Sequence, residues 1–399
     1  MQLFVDTNIN FLKYRYHFVV LSLIIIGIGV AGFFANGINL GIDFAGGANV
    51  IVQFAQDPPI ETLRSIVAGA SIQRYGPADD NAVLIRLPQQ ETEGDYAGQI
   101  VSRLHESLNE GKGSGIDLNY QGTEVIAGLL ANDDPDKRGS GIEAREHYVE
   151  VGQAIIDHRS ELGLFTDFTQ VFEAPEVSPS SFSTLKEKTY LGTFNVLSQE
   201  TVGPQIGKEL QKKAFWAVIL STLAMGVYIA VRFDLKFAIA AIICLFHDVA
   251  GALTFVTVTK AEFEILTIAA LLMIIGYSIN DTVVVYDRVR ENMRKMRGKA
   301  DLGEVMNLSI NQTLSRTILT SSSVMIILTC LIVWGGQVIN EFAWLLLIGT
   351  VLGTYSSVSI VPAIALAWNK YIAKDPMASR SSAARESANG AKKAVNGAR

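Results

Sequence analysis

Ionisable side chains fall inside or beside three long apolar stretches, where a charge is expensive. His247 and Asp248 lie together about midway along one stretch, and Asp281 lies in the inner half of the next. Arg316 closely precedes a third stretch. A carboxylate at the centre of a bilayer costs about 3 kcal/mol or more, so it usually faces a partner or a water-filled path. We therefore expect these side chains to be functional.

Asp281 and Arg316 are predicted to lie at the same depth. The segment before Ile318 carries few other charges, so its helix is expected to begin near Leu308, which places Arg316 about 12 Å along the span. Asp281 lies about 13 Å from Arg290, where a basic loop begins. On neighbouring antiparallel helices, a carboxylate and a guanidinium at matching depth are expected to pair, which lowers the cost of burying both.

Uncharged polar side chains accompany these charges and predict a hydrated lining. An acid whose protonation depends on hydration and on a nearby arginine can couple proton binding to helix movement. We favour such a proton relay and leave open whether the coupling ion is H⁺ or Na⁺. The alternative is a static ion pair, with His247 as a satisfied polar group of the core. The pathway residues are Asp281, Arg316, His247, Asp248 and Asn280, with Ser278, Thr313, Thr317 and Thr320 as a hydroxyl lining.

Motifs for other kinds of chemistry are missing from the sequence. It contains no phosphate-binding glycine loop, no GxSxG and no Ser/His/Asp arrangement, so we expect no enzyme activity. Cys244 and Cys330 both fall in apolar stretches, and no histidine pair has metal-ligand spacing, so we predict no disulfide, metal or other cofactor. Small residues in the first and last apolar stretches indicate close helix packing. They are Gly27, Gly29, Gly32, Gly349 and Gly353.

The apolar stretches are long enough to cross a membrane, since a helix needs about 20 residues to span about 30 Å of hydrocarbon. Residues 1–17 precede an apolar run that could be a secretory signal, but the run lacks an AxA cleavage pattern, which favours an uncleaved span. We therefore predict an α-helical polytopic membrane protein with six transmembrane helices. They are 18–35 and, within a five-helix region at 214–368, the runs 214–231, 237–258, 264–286, 318–334 and 342–368.

The segment 36–213 contains no further span and is predicted to form an α+β domain between the first and second transmembrane helices. It is acidic, and its strand and helix patterns alternate. Residues 111–194 form an insertion that is longer than a compact core requires, either a further subdomain or a flexible segment. Within the domain we predict strands at 49–54 and 82–87 and helices at 59–69, 95–108 and 142–162.

Basic residues predict the orientation of the chain. They concentrate in alternate connections between the apolar runs and in the carboxyl-terminal tail, and the positive-inside rule then places both termini in the cytoplasm and 36–213 in the periplasm. Residues 369–399 are rich in Ala, Ser, Gly, Lys and Arg and are expected to be a disordered cytoplasmic tail.

A set of motifs in the same order and spacing resembles the SecF family, subunits of the accessory complex of bacterial Sec protein translocation. This family belongs to the resistance-nodulation-division (RND) superfamily. The motifs extend from the first apolar run to the fifth. They are GIDFAGG at 41–47, TVGPQIGKEL at 201–210, VRFD at 231–234, HD at 247–248, IGYSINDTVVVYDRVREN at 275–292 and QTLSRTILTS at 312–321.

The resemblance implies an RND-like helix bundle with a ferredoxin-like periplasmic domain. It also implies a partner, SecD, and work beside SecYEG, SecA and YajC, in which the proton-motive force promotes export of a translocating polypeptide across the cell inner membrane. The acid and the arginine of the family's proton pathway correspond to Asp281 and Arg316. The insertion at 111–194 departs from the compact domain that the family implies.

Two other functions stay open on the residues alone. One is half of an RND-type proton-driven exporter of lipids or small molecules, which would also need a second bundle. The other is a static scaffold of the translocon, in which the buried charges serve only packing. We expect no nucleic-acid partner.

Overall fold

The computed structural model of the chain divides into two compact units. The membrane unit comprises Met1–Gly41 and Leu210–Arg399, and the sheet unit comprises Ile42–Glu209. The tail predicted to be disordered lies outside the described residues from position 372 onward. The structure describes residues 7–88, 95–113, 115–139, 141–296 and 300–371.

The described residues form thirteen α-helices and six strands. A 3₁₀ turn, Phe11–Tyr14, precedes the first helix. In chain order the elements are α1 (Arg15–Asn36), α2 (Ile42–Ala45), β1 (Gly47–Phe54), α3 (Ile60–Ile66), β2 (Ser71–Tyr75), β3 (Ala82–Pro88), α4 (Tyr96–Leu108), β4 (Ile116–Asp117), α5 (Thr123–Asp133), α6 (Ile142–Leu162), α7 (Phe168–Phe172), α8 (Pro179–Lys188), β5 (Thr189–Tyr190), β6 (Phe194–Val202), α9 (Pro204–Arg232), α10 (Leu235–Thr259), α11 (Ile265–Met296), α12 (Leu302–Trp334) and α13 (Gly336–Tyr371).

The core of the sheet unit has the ferredoxin-like fold that the family resemblance implies. Its strands run antiparallel in the order β2-β3-β1-β6, and α3 and α4 complete a β-α-β-β-α-β path. Alternate residues of β1 point inward, so that Val50 and Val52 are fully buried with Leu104 of α4. Gly46 and Gly47 have φ angles of 75° and 131°, which explains why glycines lead into β1.

The insertion between α4 and β6 is a folded subdomain. Helices α5 to α8 enclose a second apolar core, in which Ile126, Tyr148 and Ile155 are fully buried. A two-stranded parallel sheet of β4 and β5 closes it. This answers the question that the sequence left open, because within the described residues the insertion has its own core and does not behave as a loop.

A tight loop at the end of α5 is fixed by one carboxylate of the insertion. Asp134 accepts hydrogen bonds from the amides of Arg138 at 2.7 Å and Gly139 at 2.8 Å, and from the Tyr148 hydroxyl at 2.8 Å. Burial raises the pKa of Tyr148 to about 12, so this hydroxyl stays protonated and continues to donate at neutral pH.

Among its described residues, the membrane unit contains six helices long and apolar enough to cross a membrane, as the sequence predicts. The most apolar segments of α10, α11 and α13 are half buried or more, whereas those of α1, α9 and α12 are mostly exposed. Helix α13 packs against α10, α11 and α12, and α1 packs against α10. The bundle therefore has an inner set of three helices, in which polar groups can be shielded from lipid.

Glycines set the closest helix contacts in the bundle. Gly32 of α1 lies against α10, where an added Cβ would come within 3.2 Å of the Thr257 hydroxyl. Gly353 of α13 lies against α11, where an added Cβ would come within 3.1 Å of the Ser278 Cβ. Gly27 has no such neighbour within 4 Å among the described residues. The predicted small-residue packing therefore holds for most of these positions, but not for Gly27.

The first described residues are tied to α12. The Asn311 side chain accepts a hydrogen bond from the Ile9 amide at 2.8 Å and donates one to the Ile9 carbonyl at 2.8 Å. One turn earlier, the Asn307 side chain accepts from the Phe11 amide at 3.0 Å. Two asparagines four residues apart thus hold an extended segment much as a neighbouring strand would.

Candidate functional site

Asp281 is a buried carboxylate near the middle of α11. Its residue is 2% exposed, and its Oδ2 has no hydrogen-bond partner among the described residues. Apolar residues on both sides extend the helix through this point without a break. A buried carboxylate oxygen without a partner is unusual in a folded protein and points to a functional group or to exchange with water.

Arg316 lies on α12, the helix that packs against α11, and its side chain is exposed in this chain. Helix α12 begins at Leu302, well before the apolar run predicted from Ile318, so Arg316 does lie inside a long helix. The ion pairs within 4.0 Å in the described part of the chain do not include an Asp281–Arg316 pair. The guanidinium still acts on the Asp281 carboxylate through space. The direct pair that the sequence predicts is therefore not formed here.

Asp248 is the centre of a polar cluster between three helices. Its residue is fully buried, and its Oδ2 accepts hydrogen bonds from Ser278 of α11 at 2.5 Å and from Ser356 of α13 at 2.9 Å. Its Oδ1 lies 2.9 Å from Nδ1 of the preceding His247. The carboxylate thus joins α10, α11 and α13, and each of its oxygens has a partner.

A hydroxyl chain runs across α11, α12 and α13. Tyr277 donates to Ser321 at 2.9 Å, and Ser321 and Thr354 share a hydrogen bond of 2.7 Å. Thr354 in turn donates to the carbonyl of Thr350 at 2.8 Å. Tyr277 precedes Asp281 by one helical turn, so the chain begins one turn from the acid whose Oδ2 has no partner among the described residues.

The other residues predicted for the proton pathway and its hydroxyl lining have different surroundings. Ser278 contacts Asp248, not Asp281. Thr313 and Thr320 donate to carbonyls of their own helix, and the Thr320 hydroxyl also lies near the Tyr277 phenol. Asn280 is exposed and joins neither acid in the described structure. Thr317 is buried, and its hydroxyl has no partner among the described residues.

Three potential metal ligands meet on α10. The ligand atoms of Cys244, His247 and Asp248 lie within 4.8 Å of one another. This group contains a single histidine, so it is not one of the histidine pairs whose spacing indicates a metal site. The Asp248 carboxylate is already satisfied by two serines and a histidine, and it is the only acid of the three. Hydrogen bonding within the protein explains this cluster without an ion.

Ser356, Tyr277 and Thr354 were missed by the reasoning from sequence. A signal for two of them exists, because α13 carries hydroxyls at Thr354 and Ser356 inside an otherwise apolar span. Residues of this kind inside a membrane helix usually face another helix. Tyr277 offered no such signal, since tyrosines are common in membrane helices for reasons of packing.

Two family models match the chain. The model described as protein export membrane protein SecD/SecF, C-terminal, matches residues 182–371. The model described as SecD/SecF GG motif matches residues 31–58. The second match covers the glycine pair that leads into β1.

The chain is similar over most of its length to curated proteins named protein translocase subunit SecF. The protein from Koribacter versatilis is 34% identical over 388 residues, which cover 93% of this chain and 94% of the relative. The protein from Desulfurispirillum indicum is 31% identical over 372 residues, covering 91% and 93%. The protein from Helicobacter pylori strain 26695 is 31% identical over 373 residues, covering 92% and 89%.

Solved structures of SecDF have a similar fold. The crystal structure of SecDF from Thermus thermophilus, described as a translocon-associated membrane protein, gives a TM-score of 0.63 at 28% identity over 93% of this chain. A SecDF structure in a super-membrane-facing form gives a TM-score of 0.56 at 28% identity over 95% of this chain. The chain spans 40% and 41% of the length of these two SecDF chains.

Proposed function

Because the chain belongs to the SecF family of protein translocase subunits, we propose that it is an accessory subunit of the Sec protein translocase that works paired with SecD. The chain spans about 40% of the SecDF chains that share its fold, and the rest of such a chain would correspond to the partner. The alternative of an RND-type exporter of lipids or small molecules finds no support in the names of these relatives.

The proton-motive force drives this subunit through Asp281. The observation that carries this part of the proposal is a buried carboxylate whose Oδ2 has no hydrogen-bond partner among the described residues, on a helix that packs against the helix of Arg316. No hydrogen bond within the described residues holds this oxygen, so binding of a proton there can change the interaction of the carboxylate with the guanidinium. Helix movement would follow from this change, and no ATP or other cofactor is needed.

The orientation of the subunit follows from the basic connections. Both termini lie in the cytoplasm, the sheet unit lies in the periplasm, and the bundle lies in the cell inner membrane. In this position the sheet unit reaches the translocating polypeptide as it leaves the SecYEG channel, after the step driven by SecA, with YajC as a further partner.

Replacement of Asp281 by asparagine tests the coupling. We expect Asp281→Asn to reduce export of a periplasmic reporter to the level of a strain without the subunit, because an amide does not bind a proton in this pH range. Export is measured in cells whose only copy carries the change, with membrane level and co-purification of SecD measured in parallel. The matched control is Asp287→Asn, an exposed acid on the same helix that pairs with Arg232 at 3.3 Å.

Normal export by Asp281→Asn with normal assembly would contradict the proposal. It would favour the static scaffold, in which the acid serves packing alone. Loss of export together with loss of SecD binding would instead identify Asp281 as an assembly residue.

A further inference from the structure

Two buried oxygens near the α11–α12 contact have no hydrogen-bond partner among the described residues. They are Oδ2 of Asp281, in a residue 2% exposed, and the hydroxyl oxygen of Thr317, in a residue 1% exposed. Leaving such a group unsatisfied costs about 1–3 kcal/mol, and more for a charge. Two such groups on neighbouring helices therefore suggest a shared ligand.

The helix register places these two residues at facing positions. The hydrogen bond from Tyr277 to Ser321, 2.9 Å long, fixes which residues of the antiparallel helices face each other. One turn further along α11 is Asp281, and one turn back along α12 is Thr317. The residues form the next facing pair. Arg316, one position earlier, is rotated by about 100° around α12, which explains why its guanidinium does not reach the carboxylate.

Tyr277 contributes the third polar group at this place. Its hydroxyl donates a hydrogen bond to Ser321. Ser321 then donates to Thr354, and Thr354 donates to the Thr350 carbonyl. The tyrosine oxygen also lies near the hydroxyls of Thr320 and Thr354, and its phenol interacts electrostatically with Asp281. The hydroxyl chain thus fixes the position of the Tyr277 oxygen one helical turn from Asp281.

We propose that Asp281, Thr317 and Tyr277 form the binding site of one water molecule, through which a proton enters and leaves the Asp281 carboxylate. A buried water needs two to four polar partners, and this site supplies a carboxylate oxygen, a hydroxyl and a phenol oxygen. Thr317 and Tyr277 are positioning residues in this site. The inference rests on the proposed proton coupling and adds to it the residues that present the proton.

The proton step is balanced at these atoms. Hydronium at the site gives one proton to Oδ2 of Asp281, an O–H bond of the hydronium breaks, and neutral water stays bound to Thr317 and Tyr277. The reverse step restores the carboxylate. Three neighbouring helices present polar or charged groups near Asp281. Helix α12 carries Arg316, whose charge acts on Asp281, and α13 carries the Thr354 hydroxyl. Helix α10 carries His247 and Asp248 in the neighbouring cluster.

Labelling of Asp281 tests the water site directly. Dicyclohexylcarbodiimide reacts with protonated carboxyl groups in apolar surroundings, and mass spectrometry of the purified complex with SecD would report its attachment to Asp281. Thr317→Val removes a hydroxyl that stabilises the ionised form through the water, so we expect labelling at a fixed pH near neutrality to rise about tenfold. Tyr277→Phe should change the rate as well.

The matched control is Thr329→Val, because Thr329 is exposed and donates only to the Met325 carbonyl of its own helix at 2.7 Å. It should label like the unchanged protein. Gel filtration of each complex confirms that the variants are folded before labelling rates are compared.

Each outcome decides a separate point. Labelling of Thr317→Val and Tyr277→Phe at the unchanged rate would overturn the water site, while loss of export in Asp281→Asn would still support the proposed function. Normal export by Asp281→Asn would overturn the coupling and leave labelling to decide the water site. Protection of Asp281 by Na⁺ in the unchanged protein would overturn water as the ligand and assign the site to a sodium ion.

Discussion

At the scale of single residues, the two carboxylates in the bundle have opposite surroundings. Asp248 has partners on three helices, whereas Oδ2 of Asp281 has none among the described residues. A satisfied buried charge holds its neighbours in place, and removing one partner is costly. We therefore interpret Asp248 as an anchor of the inner helices and Asp281 as the group that exchanges a proton.

Loss of one donor to Asp248 should destabilise the bundle. Ser356→Ala removes a hydrogen bond to a buried charge, and we expect a loss of about 1.5–3 kcal/mol in the free energy of unfolding. Denaturant unfolding of the solubilised protein measures the change. Ser357→Ala is the matched control, since the Ser357 hydroxyl donates only to the Thr354 carbonyl of the same helix. Equal losses in the two variants would contradict the role of Asp248.

The Asp134 loop should respond to acid. The hydrogen bond from the Gly139 amide, followed by that from the Tyr148 hydroxyl, lowers the pKa of Asp134 below its usual value of 3.8. Its contribution to stability is therefore complete above the unfolded value and is lost as the pH falls through the folded pKa. At neutral pH, we expect Asp134→Asn to make amide hydrogen exchange at Arg138 and Gly139 several-fold faster.

The difference between Asp134→Asn and the unchanged protein should shrink when the pH falls below about 4. Comparison at each pH removes the intrinsic dependence of exchange on acid. A difference that persists at low pH would show that the carboxylate charge does not fix this loop.

At the scale of elements, the contact between α11 and α13 depends on a glycine. A side chain at Gly353 would meet Ser278, which donates to Asp248. We expect Gly353→Leu to separate the helices and to lower the free energy of unfolding by about 1–3 kcal/mol. Gly276→Leu is the control, because a Cβ at Gly276 meets nothing within 4 Å. Thermal unfolding that is the same for both variants would rule out this packing role.

The helices and strands could be predicted where their patterns are strong. The prediction of a helix at 142–162 matches α6 closely, and β1 extends the predicted strand by two residues. The edge strand β2 is not predicted, because its exposed face is polar. Helix α5 is not predicted either, because the acidic loop that follows it makes the whole segment polar in composition. Helix α12 begins earlier than its apolar run, because packing on α11 supports its polar first turns.

The candidate site could be predicted only in part. Asp281 and Asp248 stood out because charges are rare in apolar runs, and both are buried. Which hydroxyl contacts which acid depends on helix rotation and register, and these are set by contacts such as Gly353 with Ser278. Spacing along one helix does not contain that information, so Asn280 was included and Ser356 was overlooked.

At the scale of the whole molecule, the chain divides into two compact units, and the sheet unit itself contains two apolar cores. The sheet unit combines a common small fold with a subdomain of its own, and the membrane unit keeps its polar groups among the inner helices. The exposed apolar faces of α1, α9 and α12 suit contact with lipid or with a second bundle. A partner with a similar bundle is what the SecF family leads us to propose.

The attachment of Ile9 to Asn311 has a consequence for how the protein is made. These residues lie 302 positions apart. At about 5–20 residues per second, a ribosome would need roughly 15–60 s to synthesise the chain between them. During this delay the amino-terminal segment has no docking place, and most of the bundle must be inserted before it can be fastened. The beginning of the chain therefore reaches its final position only after this part of α12 has emerged, late in synthesis.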